Sequence, residues 1–202
     1  MFEKSQYKKF SVEENGFSFK GDFHEFKHIA HIFFTRIHTT QRMNFVKVGE
    51  VDSAYLHLTL ISGKIIKLSF DEAGIFIGFN SNKQTDLKNL TDLYIFLSEK
   101  SFQTRILKYI KNINYKGYFI YDNCYFYPSQ KKIVFKNKEF PIESSTFHKY
   151  YSCVEMRKKD FGFIDKVKRE VSLMKPPQFN TQTDSDVIFT LLDQYFGLRW
   201  KN

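Results

Sequence analysis

Two runs of alternating apolar and polar residues meet at Ser62-Gly63 and give the clearest structural signal in this chain of 202 residues. Residues 54–61 and 64–70 both follow a period of two, which is typical of half-buried strands. The glycine between them suits a tight turn because it adopts positive φ without strain. The sequence therefore predicts a β-hairpin, and with it an antiparallel sheet in the first half of the chain.

The predicted elements follow the same order in both halves of the chain, strands first and then a helix. In the first half a strand over 16–20 and the hairpin precede a helix over most of 86–112. In the second half four short strands lie between 118 and 142, and a capping arrangement of Thr183 with Asp186 opens a helix that Gly197 ends. This order lacks the strand-helix-strand alternation of a parallel nucleotide-binding sheet. It predicts an α+β fold of antiparallel sheets, each followed by a helix.

The length of the chain allows two small domains, since domains commonly contain about 100–150 residues. The predicted organisation is an N-terminal arm over 1–15, a first α+β unit over 16–113 and a second α+β unit over 114–202. Hydrophobic residues make up 42% of the chain, which is enough apolar surface for a core and excludes global disorder.

Residues 22–40 carry two conflicting patterns. Asp22 and Glu25 have the spacing of a helix capping box, and the apolar residues that follow share one face of a helical wheel. From residue 33 to residue 39, however, β-branched and aromatic residues alternate as in a strand. A helix is predicted to begin at Asp22, and whether the segment beyond it is helical or extended stays open.

The same segment contains His24-Glu25-Phe26-Lys27-His28, a literal H-E-x-x-H motif. On a helix, histidines at i and i+4 reach one Zn²⁺ ion and the glutamate activates the bound water. The candidate metal ligands are His24, His28 and His31, and a zinc-dependent hydrolase is the alternative function. Lys27 places a cation beside such a metal, and no downstream motif supplies a third ligand. Ordinary surface histidines are the favoured interpretation.

Positive charge is concentrated in one segment. Residues 100–175 carry 17 lysines and arginines against 7 acidic residues, a net charge of +10, whereas the rest carries 14 against 15, a net of −1. Such a segment attracts the phosphates of nucleic acid or an anionic lipid surface. A solvated face that maintains solubility is the simpler interpretation. The candidate binding residues are Lys131, Lys132, Lys136, Arg157, Lys158 and Lys159.

Tyrosines are interleaved with the lysines of this segment. Aromatic rings beside cations are found on surfaces that stack nucleic-acid bases. Alternating aromatic residues also form the buried face of a sheet, with lysines on the solvent-exposed face. This second interpretation is favoured. The tyrosines concerned are Tyr121, Tyr125, Tyr127, Tyr150 and Tyr151.

Motifs of the common enzyme classes are missing from the sequence. There is no G-x-S-x-G elbow, no P-loop and no dinucleotide-binding glycine pattern, so no catalytic residue and no cofactor are predicted. Cys124 and Cys153 are too few and too far apart for a disulfide framework. No apolar run approaches the roughly 18–20 residues that cross a bilayer, and the first residues lack a secretory signal. A cytoplasmic location is therefore expected.

The order of elements resembles that of the bacterial pleckstrin-homology-like domains, which are small antiparallel sheets closed at one corner by a C-terminal helix. In the first half the resemblance rests on residues 16–20, residues 29–39, the Ser62-Gly63 hairpin and the helix after Thr85. In the second half it rests on the 118–142 strands and the helix after Thr183. The resemblance implies two such units but assigns no functional residue, because the family is known by its fold.

Taken together, these patterns predict a non-enzymatic binding or scaffolding module whose basic second half contacts an acidic partner. A protein or an anionic lipid surface is favoured over nucleic acid as that partner. The sequence contains no specific feature for or against a third class, that of an inhibitor or immunity-type protein. The oligomeric state is left open.

Overall fold

A computed structural model of the chain describes residues 10–43, 46–71, 81–158, 177–198 and 200. Within this part of the chain there are four antiparallel sheets and two α-helices, so the predicted α+β class is confirmed. The chain divides into two compact units, residues 1–105 and residues 106–202. The division falls inside helix α1 (Ser81–Lys116), which also contains the predicted boundary between residues 113 and 114.

The first sheet of the first unit is a three-stranded meander. It consists of β1 (Phe10–Val12), β2 (Gly16–Phe19) and β3 (Asp22–Glu25) in that order. Residues 10–12 of the predicted arm thus form a strand, while residues 1–9 lie outside the described part. Lys20 and Gly21 join β2 to β3 with φ values of 54° and 92°. Positive φ at both positions is the signature of a type I′ hairpin turn.

The helix predicted to begin at Asp22 is wrong. Asp22–Glu25 is strand β3, and only a single 3-10 turn, Phe26–His28, follows before the next strand. The local capping signal is overridden because Asp22 lies directly opposite Phe19 and Glu25 opposite Gly16 in an antiparallel pairing. Pairing with β2 satisfies the backbone groups that a helix would otherwise have satisfied.

The second sheet of the first unit contains the predicted hairpin. Its strands are β4 (Ile29–Met43), β5 (Val46–Leu60) and β6 (Ile65–Asp71), paired in that order. Gly63 has a φ of 83° in the turn between β5 and β6, so the predicted hairpin is confirmed. The segment after residue 28 that the sequence left open is therefore extended. Its alternating side chains follow the period-two pattern and not the helical one.

Both sheets and the first part of α1 contribute to a single hydrophobic cluster in the first unit. Phe34 stacks on Tyr94 of α1 with 4.3 Å between ring centroids, and Phe26 meets Phe96 edge-on at 5.7 Å. Leucines at intervals of three or four residues form the buried side of α1, as amphipathic helices require. These leucines are Leu87, Leu90, Leu93 and Leu97.

The second unit begins with a four-stranded antiparallel meander. Its strands are β7 (Phe119–Tyr121), β8 (Cys124–Tyr127), β9 (Lys132–Phe135) and β10 (Lys138–Pro141), and each pairs with the next. The meander predicted over 118–142 is confirmed. Asp122-Asn123 and Lys136-Asn137 join β7 to β8 and β9 to β10, and all four residues have positive φ. These are again the two-residue turns that match the twist of paired strands.

A three-stranded sheet and a helix complete the second unit. Strands β11 (Ser145–Lys149), β12 (Cys153–Lys158) and β13 (Gln178–Asn180) precede helix α2 (Ser185–Phe196). Phe126 of β8 meets Phe179 of β13 and Phe196 of α2 edge-on, with centroids 5.4 Å and 6.1 Å away. An aromatic core therefore joins both sheets of this unit to its helix.

The predicted end of α2 is confirmed, and its predicted start is displaced. Gly197 adopts a φ of 68°, and its N–H bonds the carbonyl of Asp193 at 3.0 Å. This is the left-handed cap that glycine favours. The residue at the start is Asp184 instead of Thr183, and its side chain makes no capping hydrogen bond. Neither described helix combines the length and the apolar character that crossing a bilayer requires.

Gly16 gives a test of the β2–β3 pairing. A Cβ at this position would overlap the backbone carbonyl oxygen of His24 and come within 2.7 Å of the Phe23 ring. We expect Gly16→Ala to lower the free energy of unfolding by about 1–3 kcal/mol in urea denaturation, because the paired backbone must move. In the control Gly63→Asn, the added side chain meets open space and Asn tolerates positive φ, so a smaller loss is expected. Equal losses in the two variants would contradict the close approach at Gly16.

Candidate functional site

The three histidines of the predicted metal site lie on three different elements. His24 is in β3, His28 ends the 3-10 turn and His31 is in β4. The H-E-x-x-H motif places its histidines on one face only when it is helical, and this segment is not helical. Within the described residues no three His, Cys, Asp or Glu side chains are grouped so that they could hold a metal ion. The motif therefore lacks the geometry on which its chemistry depends.

His24 packs as part of the first sheet. Its ring lies 5.4 Å from the ring of Phe17, its partner across the strand pair, and its Nε2 atom is shielded from solvent without a hydrogen bond. Burial lowers the pKa of His24, and the nearby charge of Lys64 lowers it further. His28 is exposed, and its Nε2 lies 4.0 Å from Glu25 Oε1. His24 therefore belongs to the packing of the sheet, while His28 belongs to the surface.

The predicted cationic site is only partly brought together. Lys132 begins β9 and Lys136 lies in the turn that ends it. The Lys132 ammonium is 2.7 Å from Glu139 Oε1 and 5.5 Å from the centroid of the Tyr127 ring. The Lys136 ammonium lies 5.2 Å from the centroid of the Phe135 ring. These two lysines therefore belong to the same β9–β10 hairpin but lie at opposite ends of β9, and the rings that they contact are on different faces of the sheet.

The remaining cationic candidates have other surroundings. The Lys131 ammonium donates a hydrogen bond to the Tyr195 carbonyl in the last turn of α2, where a cation is favoured by the helix dipole. Arg157 lies in β12, in the other sheet of this unit, and its Nε donates to Glu155. That hydrogen bond raises the pKa of Arg157. The side chain of Lys158 and all of Lys159 lie outside the described residues.

The tyrosines divide between the two faces of the β7–β10 sheet. Tyr121 is buried, and its hydroxyl donates to the Thr183 carbonyl, as the buried-face interpretation predicts. That interpretation is wrong for Tyr125 and Tyr127, which lie on the opposite face. Tyr125 is 41% exposed. Tyr121 and Cys124 flank a two-residue turn and share one face, so the sequence pattern places Tyr125 on the other face, but only the fold shows which face is buried.

The outer face of this sheet carries a cluster that we call the tyrosine face. The Tyr118 ring lies 5.7 Å from the Tyr125 ring and 5.4 Å from the Tyr127 ring, centroid to centroid. Tyr125 is paired directly with Ile120 and Val134, and Tyr127 with Lys132. Directly opposed residues share one face of a sheet. The tyrosine face thus consists of Tyr118, Ile120, Tyr125, Tyr127, Lys132 and Val134, and the pairing of β10 with β9 adds Glu139 and Pro141 at its edge.

Tyr150 and Tyr151 are separate from the tyrosine face. They lie in the connection between β11 and β12, where both side chains are exposed. Neighbouring Lys149 places its ammonium 4.5 Å from the centroid of the Phe189 ring in α2. The five tyrosines singled out from the sequence therefore occupy three different environments: the core, the outer face of one sheet, and a connection in the other.

Two groups with large pKa shifts are made less reactive by those shifts. Burial raises the pKa of the Cys124 thiol to about 12, so this cysteine is protonated at neutral pH. Burial also raises the pKa of Tyr121. Nucleophilic and acid-base catalysis need shifts toward neutral pH instead. These groups are better explained by packing than by catalysis.

No family model, no curated protein and no solved structure matches this chain. The geometry of its own residues is therefore the basis for any functional argument. The tyrosine face and the lysines of the β9–β10 hairpin are the features that remain after the histidines and the buried groups have been accounted for.

The lowered pKa of His24 predicts a pH-dependent stability. A histidine with a lowered pKa binds fewer protons when folded than when unfolded, so its contribution to stability is present above its ordinary pKa of 6.5. We expect the free energy of unfolding to decrease as the pH falls below about 6.5. His24→Gln should make this decrease shallower in urea denaturation measured between about pH 8 and pH 5.5.

His57 supplies a control for this experiment. Burial lowers its pKa as well, so His57→Gln should remove a separate part of the pH dependence. The double variant should then show the shallowest profile of all. Identical pH profiles for the wild type and His24→Gln would contradict the assignment of His24.

Proposed function

We propose that this chain is a non-enzymatic binding module whose basic second unit contacts a partner that presents an array of anionic groups. The observation that carries the proposal is the distribution of charge between the two compact units. Residues 106–202 carry 17 lysines and arginines against 10 acidic residues, a net charge of +7. Residues 1–105 carry 14 against 12, a net of +2. A surface of one sign attracts and orients partners of the opposite sign.

The architecture of each unit supports the proposed relation to the bacterial pleckstrin-homology-like domains. In the second unit a four-stranded and a three-stranded antiparallel sheet precede α2. In the first unit two three-stranded sheets precede α1. Small sheets followed by a helix are the features on which the resemblance rests. A scaffold of this kind suits a binding role because its exposed strands present side chains in a fixed array.

The lysines of the β9–β10 hairpin are the centre of the proposed contact. Lys132 and Lys136 both place the ammonium group over an aromatic ring, 5.5 Å and 5.2 Å from the ring centroid, and this cation–π contact orders the side chain. Ordered cations bind anionic groups with a smaller loss of side-chain entropy. Lipid phosphates, protein carboxylates and nucleic-acid phosphates share this chemistry.

Neutralising the hairpin lysines is the test of this proposal. We expect Lys132→Gln with Lys136→Gln to elute from a heparin column at lower salt than the wild type, because ion-driven binding depends on the number of paired cations. The same variant should bind more weakly to vesicles of anionic phospholipid or to polyglutamate, whichever of these the wild type binds.

The first unit offers a closely matched control. Lys27 pairs with Glu25 at 2.7 Å, as Lys132 pairs with Glu139, and Lys20 lies 5.3 Å from the Phe19 ring centroid in a two-residue turn, as Lys136 lies over Phe135. Lys20→Gln with Lys27→Gln therefore removes the same charge from lysines with the same kinds of partner, although Lys27 is 64% exposed and Lys132 is 23% exposed. Equal shifts in elution for the two double variants would show that only net charge matters, and would refute a site on the hairpin.

A further inference from the structure

The tyrosine face is a sheet surface with an uncommon combination of side chains. The opposite face of the same sheet is buried. There Phe119 packs against Tyr109, and Phe126 packs against Phe179 and Phe196. On the outer side, Ile120 is 48% exposed and Tyr125 is 41% exposed, although both are large and mainly apolar. Grouped aromatic side chains of this size at a surface usually mark a binding site.

We propose that the tyrosine face binds single-stranded nucleic acid by stacking unpaired bases on its tyrosine rings. This inference rests on the proposed function, since it names the anionic partner of the second unit. The rings would supply contacts to the bases, and Lys132, which lies on the same face, would supply a contact to the phosphates. Sites for single strands commonly combine these two elements.

The spacing of the rings fits this role. Tyr118, Tyr125 and Tyr127 form one connected group, with centroid separations of 5.4 Å and 5.7 Å. Tyr125 and Tyr127 are two positions apart on β8, so their side chains project from the same face about 7 Å apart along the strand. Tyrosine loses little conformational entropy on binding because it has only two side-chain torsions. The group therefore offers neighbouring rings that are already ordered.

The position of Lys132 connects the rings to the charge. It lies directly opposite Tyr127 in the β8–β9 pairing, with its ammonium 5.5 Å from that ring's centroid. A phosphate that follows a base stacked on Tyr127 would come within reach of this ammonium. The Glu139 carboxylate, 2.7 Å from the ammonium, holds the position until an anion replaces it. Ring and cation are thus held beside each other by the same strand pair.

Other classes of partner fit these observations less well. Tyrosines are enriched at protein interfaces but lysines are depleted there, so a protein partner explains the rings and leaves the charge unexplained. An anionic bilayer explains the charge, but the face offers few aliphatic side chains to insert into it: Ile120 and Val134, with Pro141 opposite Lys132. Double-stranded nucleic acid keeps its bases stacked inside the helix and cannot use the rings. The favoured partner is therefore a single strand.

Fluorescence anisotropy of the full chain with labelled oligothymidine and oligouridine of about 12 nucleotides tests the inference. We expect Tyr125→Leu and Tyr127→Leu each to weaken binding by roughly tenfold or more, because each removes a stacking ring and retains an apolar side chain. Tyr125→Phe keeps the ring and should bind within about twofold of the wild type. Lys132→Gln should also reduce the salt dependence of the binding constant by about 0.7 in logarithmic slope.

Tyr115 provides the matched control. It lies in the helix α1 instead of the sheet, within the second unit, and is 89% exposed. Tyr115→Leu removes the same ring and should leave oligonucleotide binding unchanged. A circular dichroism melt of each variant checks that the fold is intact. Because Tyr125 is already exposed, Tyr125→Leu should have the same melting temperature as the wild type.

The possible outcomes separate this inference from the proposed function. Loss of binding in Tyr125→Leu with retention in Tyr125→Phe and Tyr115→Leu supports stacking on the tyrosine face. Binding that is lost only in the lysine variants overturns the inference and leaves the proposed function standing. Binding of the wild type to anionic vesicles or polyglutamate but not to either oligonucleotide has the same consequence. If the wild type binds none of these anions, both proposals fail.

Discussion

The packing of the buried Phe126 ring against two other phenylalanine rings is the interaction on which the arrangement of the second unit depends. The Phe126 ring lies 5.4 Å from the ring of Phe179 and 6.1 Å from that of Phe196, both edge-on, in the core between two sheets and a helix. Because side chains alternate between the faces of a strand, an inward Phe126 requires Tyr125 and Tyr127 to point outward. A shift of one residue in the register of β8 would bury both tyrosines and expose the phenylalanine. The aromatic core therefore maintains the outer face as well as the inner one.

The electrostatics of the outer face follow from the same strand pairing. Lys132 is held beside Tyr127 by the register of β8 and β9, and it is paired with Glu139 of β10. A surface ion pair of this kind contributes only about 0–1 kcal/mol, so the stability of the unit depends little on it. Lys131 and Arg157, by contrast, contact Tyr195 and Glu155 within the unit. The cations named from the sequence thus have different neighbours in space: a carboxylate and a ring for Lys132, a helix-end carbonyl for Lys131 and a carboxylate of its own strand for Arg157.

The first unit shows where sequence patterns succeed and where they fail. The Ser62-Gly63 hairpin could be predicted because its signals, alternation and a turn glycine, are both local. The conformation of the segment from Asp22 could not be predicted in the same way. Its capping spacing is also a local signal, but the segment pairs with the strand Gly16–Phe19, and only the fold supplies that pairing. Gly16 lets the two backbones approach, with no room for a Cβ. Once the helix is absent, the H-E-x-x-H spacing loses its geometric meaning, and His24 becomes a packing residue against Phe17.

Composition and short-range pattern alone establish the α+β class, the Ser62-Gly63 hairpin, the 118–142 meander, the C-terminal helix with its glycine cap, and the segment that carries the positive charge. These properties are encoded within a few neighbouring residues, or in simple counts, so they do not depend on distant contacts. Strand register and packing between segments far apart in the chain decide the remaining properties. These are which tyrosines face solvent, which lysines lie beside them and whether the histidines meet. Those contacts arise only when β7 to β10 assemble over the Phe126 core, and for that reason the tyrosine face became visible only in three dimensions.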